Sequence, residues 1–358
     1  MKIRTIAVAA GGTAGHVFPA QAISKILGTR NKILFFTDPR GKKFFGQDEE
    51  KIVLPIKNFQ GSFIQKAASL FFLGIATLKS LYILKKEKAV IAIGFGGITS
   101  FPVLLAAKIL KIPIVLHEQN AVLGKANKFF LNDAEFLATS FEETKEVEGY
   151  NVVHTGNPIR EVVFDSKRRR TRITPEIYIT VVGGSQGATI FDTTIANAIT
   201  LLPQDLQERI SVFQQVRKEN HDTVQSIYDT SKVRRLEMKD FFRNVPQLIA
   251  DSDLIISRAG ASTISEIEHL KIPSIIVPIA SSSDNHQYHN AEQFSRKGTS
   301  RMIIEKEFSS RKLADTIIDL FDKNLIENYR SKFDPSTTNG ATQKFSIKIN
   351  EIIINMRI

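Results

Sequence analysis

The stretch VAAGGTAGH at 8–16 sets a short apolar run against a glycine turn and ends it in a histidine. Glycines let a backbone approach a ligand closely, and a helix opening just behind them offers unpaired N–H groups to an anion. A second turn of this kind, GGSQGA, lies at 183–188. There Ser185 puts a hydroxyl beside several backbone N–H groups, which suits one phosphate of a diphosphate; the same hydroxyl would also serve as a plain helix cap. His16 offers an imidazole that can take a proton from a sugar hydroxyl near neutral pH, and a helix N-terminus disfavours its charged form. A histidine bonded to nearby backbone is the alternative.

Three further groups could do chemistry. Glu266, in RAGASTISE, could accept from both hydroxyls of a ribose cis-diol. Thr263-x-x-Glu266 is equally a capping-box pattern, and spacing does not choose between them. HEQN at 117–120 follows strand IPIVL and makes Glu118 a second candidate base, or else a partner for Lys125 or Lys128. DNHQ at 284–287 is its counterpart after SIIVPI, with amides and an imidazole suited to sugar hydroxyls, or a polar surface loop.

Other nucleotide chemistries fit less well. Gly11, Gly12 and Gly15, echoed by Gly183, Gly184 and Gly187, do not have the G-x-G-x-x-G spacing of a nicotinamide site, although Asp38 at the end of ILFFTD could act as its ribose acid. No Gly-Lys-Ser/Thr follows either turn, which excludes a Walker loop. Asp251-Ser252-Asp253 opens a strand instead of closing one and is poorly placed for a metal.

The elements that must position these groups come in two sets. Strand IRTIAVAA leads into the first turn and IYITVV into the second, an offset of 183 − 11 = 172 residues. AVIAIGFGG (89–97) is echoed by DLIISRAGA (253–261), and Lys111-Ile112-Pro113 by Lys271-Ile272-Pro273. Helix-like stretches at 19–27, 102–110 and 264–270 lie between. Near-continuous Val, Ile and Ala strands alternating with helices indicate parallel sheets buried on both faces. The expectation is an α/β protein of two Rossmann-like, doubly wound parallel-sheet domains, 1–160 and 161–339, whose glycine turns face a shared cleft. The tail 340–358 has helical spacing and is expected to pack back on the first domain.

Composition bounds the partners. Of the 358 residues, 42% are hydrophobic and 24% charged, as in an ordinary soluble chain. There is no cysteine, so disulfides and thiolate metal sites are excluded and a reducing compartment is expected. The basic excess, 48 − 37 = 11, favours anionic partners. SKRRRTRITP (166–175) reads as a solvated surface loop in preference to a nucleic-acid contact. MKIRTIAVAA imitates a signal peptide, but its apolar core, Thr5 to Ala10, is too short, and it reads as a first strand. The most apolar segment is SLFFLGIATLKSLYILKKEK (69–88). Its run from Ala67 to Leu78 is too short to span a bilayer before Lys79. From Lys57 to Lys88 six lysines face one acid, Glu87. A core-facing helix with a basic edge and a helix lying on an anionic membrane both fit.

GGTAGH, GFGG before SFP, HEQN with GKANK behind it, GNPIR, GGSQGA, RAGASTISE and DNHQYHNA occur in this order. Together they resemble the bacterial peptidoglycan N-acetylglucosaminyltransferases, which share the two-domain (GT-B) fold of nucleotide-sugar glycosyltransferases. The resemblance spans residues 3 to about 300. It implies transfer of GlcNAc from UDP-GlcNAc to the C4 hydroxyl of lipid I, a polyprenyl-diphosphate-linked muropeptide, giving lipid II by one inverting displacement in peptidoglycan synthesis. No cofactor, metal or nucleic acid is expected: with Asp251-Ser252-Asp253 poorly placed for a cation, helix N-termini and backbone amides would steady the leaving UDP. Carried onto this chain, Ser185 with Gln186 would meet the diphosphate, Glu266 the ribose, and Phe242 the uracil, where the family often has a smaller aliphatic residue. Ala261, Ser262, Thr263, Ile264 and Ser265 would form the loop under the nucleoside, and His286 and Gln287 would bind sugar hydroxyls. Thr13, Ala14, Gly15 and Asn120 would reach the donor from the first domain, with Arg160 at the hinge. His16 becomes the leading base and Glu118 the second. Ala14 stands where the family usually has glycine, a cost if that position needs positive φ; Ser262 stands where leucine is common. A polyprenyl acceptor favours the membrane reading of 69–88, with Phe71, Phe72, Ile75 and Lys79 in contact with an anionic surface. The protein would then be peripheral on the cytoplasmic face of the bacterial plasma membrane.

Overall fold

The structure, a computed structural model, describes residues 3–47, 49–56, 63–169, 176–184, 187–323, 325–333 and 340–356. The chain divides into two compact units, Met1–Arg160 with Asn339–Ile358, and Glu161–Thr338.

The first unit is built on seven strands, β1 (Thr5–Ala9), β2 (Lys32–Thr37), β3 (Ile52–Val53), β4 (Ala89–Gly94), β5 (Ile114–Glu118), β6 (Ala134–Thr139) and β7 (Val152–His154). They pair in parallel in the order β3-β2-β1-β4-β5-β6-β7. Helices α1 (Ala14–Gly28), α2 (Phe63–Lys86), α3 (Gly97–Ile109) and α4 (Lys125–Phe130) connect them. Alternation along β1 shows why the sheet is covered twice. Ile6 and Val8 join a core with Ile23 and Leu27 of α1, whereas Ala7 and Ala9 join another with Val103 and Leu104 of α3. The closing helix, Ala341–Asn355, sets Phe345, Ile349 and Ile353 into the core on the α1 side.

The second unit repeats the plan with β8 (Ile177–Val182), β9 (Ile210–Gln215), β10 (Arg235–Lys239), β11 (Leu254–Ser257), β12 (Ser274–Ile276) and β13 (Ser300–Met302), ordered β10-β9-β8-β11-β12-β13. Its helices are α5 (Glu161–Asp165), α6 (Thr189–Thr200), α7 (Gln204–Gln207), α8 (His221–Tyr228), α9 (Val245–Asp251), α10 (Ala261–Leu270), α11 (His286–Arg296), α12 (Ser310–Asp322) and α13 (Leu325–Ser331). The three sequence echoes are therefore β1/β8, β4/β11 and β5/β12. In each unit the strand order reverses between the first strand and the fourth, so the paired glycine turns sit beyond the carboxyl ends of the strands at the switch point.

Both Lys-Ile-Pro echoes are helix stops. Lys111 and Lys271 adopt left-handed backbone (φ 56° and 57°), and the next N–H reaches back, Ile112 to Ala107 O at 2.9 Å and Ile272 to Ile267 O at 3.3 Å. Proline then prevents any continuation.

Two expectations change here. Arg168 of the basic stretch is not a solvated loop residue. Its guanidinium donates to Ser252 O (2.8 Å) and Asp253 Oδ1 (2.6 Å), while Asp253 Oδ2 accepts from Tyr178 N–H. The same contacts occupy one carboxylate of the Asp-Ser-Asp triplet. The apolar helix is also longer than its run to Leu78 suggested. Ala67–Lys86 is long and apolar enough by length and composition to cross a membrane. Its inner face, Ala76, Ser80 and Leu84, is nevertheless buried in the first unit, and β4 follows at once.

Candidate active site

The first turn is held from below. Gly12 takes φ 77° and donates its N–H to Asp38 Oδ1 at 2.9 Å. Thr13 is the N-cap of α1, but its hydroxyl is not bonded to the helix backbone; it lies 3.0 Å from His16 Nδ1. That contact engages Nδ1, so Nε2 is the ring's second nitrogen. Ala14 begins α1 and is absent from the positive-φ positions, so replacing the usual glycine there carries no backbone penalty. The imidazole lies along Gly96 and Gly97, which take φ 78° and 70° at the opening of α3; a Cβ on Gly97 would sit 3.6 Å from His16 Cε1. Glycine is required there by the left-handed backbone.

HEQN resolves into a clamp. Glu118 is buried at the end of β5, and each of its oxygens accepts twice. Oε1 takes Asn120 N (3.0 Å) and Asn120 Nδ2 (3.1 Å), and Oε2 takes Gly124 N (2.9 Å) and Asn127 Nδ2 (2.8 Å). Burial raises its carboxyl above the ordinary range, opposed by those N–H donors. No lone pair remains in this geometry for a substrate hydroxyl. Glu118 thus orients Asn120 and anchors α4, which counts against it as a base. Of the two lysines considered from sequence, Lys128 pairs with Glu146 at 2.9 Å, and the α4 side chain that donates to Glu118 is Asn127. His117 is fully buried between Phe95 and Phe345, its ring centroid 5.0 and 5.4 Å from theirs. Arg160 stacks on Phe18 at 4.0 Å within the first unit.

In the second unit, Gly183 donates to Gln215 Oε1 at 3.1 Å, and a Cβ there would lie 2.5 Å from Ala188 N. Gly184 and Gly187 have φ 86° and 72°. Ser185 and Gln186 lie outside the described residues, but the N-cap of α6 is Ala188. The N-cap of α10 is Gly260, which puts Thr263 and Glu266 inside the helix and removes the capping-box alternative. Glu266 is 6% exposed. Side chains of the nucleoside loop differ in what they can offer. Ile264 is a core residue at 2% exposure, so only its backbone remains for a ligand, and Ser265 Oγ donates to Ala261 O at 2.9 Å. Phe242 is likewise buried, with Lys239 Nζ 5.5 Å from its ring centroid, and its neighbour Phe241 is the exposed ring. Gln287 Oε1 accepts from Ile279 N at 3.1 Å, securing the loop after β12, while His286 opens α11 half-buried.

One support escaped sequence reasoning. Arg258, 8% exposed, donates to Val277 O and Glu305 Oε1, both at 3.2 Å, while Glu305 Oε2 accepts from Ala280 N–H at 2.7 Å. It braces the strand ends that carry Gln287. Its signal was a lone arginine inside an apolar strand-to-glycine junction.

Both units match one family of sugar-transferring enzymes. Residues 6–137 match the glycosyltransferase family 28 N-terminal domain, and residues 178–344 the glycosyltransferase family 28 C-terminal domain. The chain belongs to glycosyltransferase family 28 and has its two-domain GT-B fold. Among its relatives is the UDP-N-acetylglucosamine–N-acetylmuramyl-(pentapeptide) pyrophosphoryl-undecaprenol N-acetylglucosamine transferase of Wolbachia pipientis subsp. Culex pipiens, 39% identical over 88% of this chain and 89% of that protein. The protein of the same name from Rhodospirillum centenum is 38% identical over 88% of this chain and 85% of its own length. The crystal structure of Acinetobacter baumannii MurG superposes with a TM-score of 0.79 at 25% identity, covering 97% of this chain and 99% of that one.

Proposed function

We propose that the protein transfers GlcNAc from UDP-GlcNAc to the C4 hydroxyl of the muramyl residue of lipid I, releasing UDP and forming lipid II. The observation that carries this reading is the match, across both units, to relatives bearing that transferase name. In the reaction, the acceptor C4 oxygen attacks C1 of GlcNAc from the face opposite UDP. The new C–O bond forms as the old one breaks, UDP leaves with the bonding pair, and His16 Nε2 takes the hydroxyl proton. A single displacement inverts the α-linked donor to a β-linked product.

Thr13 supports His16 as the base by fixing its ring, and Glu118 acts through Asn120. The opening of α6, with Ser185 and Gln186, is suited to the diphosphate, and Glu266 to the ribose. Helix N-termini and amides then stabilise the departing UDP without a bound cation. A nicotinamide enzyme is disfavoured because both oxygens of Asp38 already accept from Gly12, Gly41 and Arg40. For the membrane, α2 supports peripheral attachment at the cytoplasmic face through its outward apolar residues.

The test is transfer of radiolabelled GlcNAc to a lipid I analogue. Wild type should give β-linked product, undiminished in EDTA. His16→Ala should lower kcat roughly 10²–10⁴-fold. Glu118→Gln should lower it less and should melt earlier. Loss of turnover in Glu118→Gln with an active His16→Ala would reverse the assignment of the base.

A further inference from the structure

The segment leaving β9 grips the second glycine turn from one side. Gln215 Oε1 accepts from Gly183 N (3.1 Å), and its Nε2 is tied to Asp240 O (3.1 Å). The stem of Arg217 lies along Gly187, where a Cβ would meet Arg217 Cγ at 3.2 Å. Buried Gln214 donates to the carbonyls of Phe191 (3.2 Å) and Asp192 (2.9 Å) in α6, and the Tyr228 hydroxyl donates to Gln214 Oε1 at 2.6 Å. Asp192 itself stands in the first turn of α6 and is 1% exposed. Its Oδ2 accepts from Asn220 Nδ2 (2.6 Å) and pairs with Arg217 Nε (3.4 Å), while its Oδ1 is buried without a hydrogen-bond donor. Arg217 also meets the exposed Glu219 at 3.2 Å.

A phosphate site made of backbone amides works to the extent that the amides are aligned before the ligand arrives. Glycine has the most backbone freedom to lose, and the segment after β9 restrains the turn at Gly183 and again at Gly187. The acid raises a second matter. A carboxylate in the first turn suits the helix dipole but repels a phosphate arriving at the same helix end, and burial leaves that repulsion little screened. Among the described residues Arg217 is the cation paired with it. We propose that Arg217 is a positioning residue for the donor diphosphate, holding Gly187 with its stem and cancelling the charge of Asp192 with its guanidinium. This rests on the transferase reading above, which gives the diphosphate to the opening of α6. Arg217 acts through the turn and the acid, with its guanidinium already engaged by Asp192 and Glu219.

Calorimetric titration of the full chain with UDP and with uridine tests the proposal, beside steady-state KM values for UDP-GlcNAc. Arg217→Gln keeps most of the stem and removes the charge. It should weaken UDP binding roughly tenfold and raise the UDP-GlcNAc KM in step, with uridine affinity and kcat changed by less than about twofold. Adding Asp192→Asn to Arg217→Gln should recover most of the loss, because an amide still accepts from Asn220 and carries no charge. Arg217→Ala, which also strips the stem from Gly187, should lose more than Arg217→Gln; equal losses would remove the stem from the account. Unchanged UDP affinity in both single variants would overturn the proposal. So would equal weakening of UDP and uridine, the mark of a merely structural prop, or a loss that Asp192→Asn does not recover. Should Arg217→Ala fail to fold, Arg217→Gln and the double variant carry the comparison. Failure of the underlying reading looks different, since wild type would then transfer no GlcNAc to a lipid I analogue.

Discussion

His117 shows how one side chain can tie the acid behaviour of the protein to its interior. Burial between Phe95 and Phe345 pushes its pKa down from 6.5 to about 4. The unfolded chain therefore binds a proton that the native state refuses between those values. Stability from this group is present above pH 6.5 and is lost as pH falls towards 4, by about 3 kcal/mol in all. Urea unfolding of wild type and His117→Gln at pH 7 and pH 4.5 should show a smaller acid loss in the variant. Equal losses would remove His117 from the account. The residues around it explain what sequence could and could not show. HEQN was visible as a polar cluster at a strand end, because four polar residues there break the apolar pattern. That His117 and Glu118 would both be buried, with Asn120 held on Glu118, was not visible, since it depends on Asn127 of α4 closing the clamp.

At the scale of elements, the most readable features were those written twice. β1/β8, β4/β11 and β5/β12 share both strand composition and the junction that follows, so the internal repeat alone indicates two alike parallel-sheet units. Boundaries set by capping were harder to read. Thr263-x-x-Glu266 imitates a capping box, but Gly260 takes the N-cap. The Lys-Ile-Pro stops give a direct test. Lysine in left-handed backbone is strained where glycine is not. Lys111→Gly and Lys271→Gly should each stabilise the protein by roughly 0.5–1 kcal/mol, read from denaturant midpoints, with transferase activity retained. Destabilisation by both would mean that the lysine side chains supply more than a helix end.

For the whole molecule, the issue is how the proposed transferase would meet a lipid-linked acceptor. The outward face of α2 carries Leu70, Phe71, Ile75, Leu78 and Tyr82, all exposed, and Gly74 among them leaves open space. Phe72, grouped with them on sequence, is half-buried, and Lys79 spends its ammonium on Val53 O at 3.0 Å. A face of this kind on a chain of net charge +11 suits the boundary of an anionic bilayer. Leu70→Ser, Phe71→Ser and Leu78→Ser combined should weaken sedimentation with phosphatidylglycerol vesicles at least tenfold, while a water-soluble acceptor analogue still turns over. Undiminished vesicle binding would place the attachment elsewhere. Helix amphipathicity could not locate this face from sequence, because α2 is apolar nearly all round and only packing shows which side is covered.

The closing helix has a consequence for how the first unit is held together. Phe345, Ile349 and Ile353 complete a core that also holds Ile6, Val8 and Ile23, from the far side of the second unit in the chain. The second unit is thus spliced into the first as an insertion, both of its ends leading back to the same host. The host core therefore draws on segments from both sides of the insert, and cutting the closing helix away would return to water apolar surface that α1 alone does not cover.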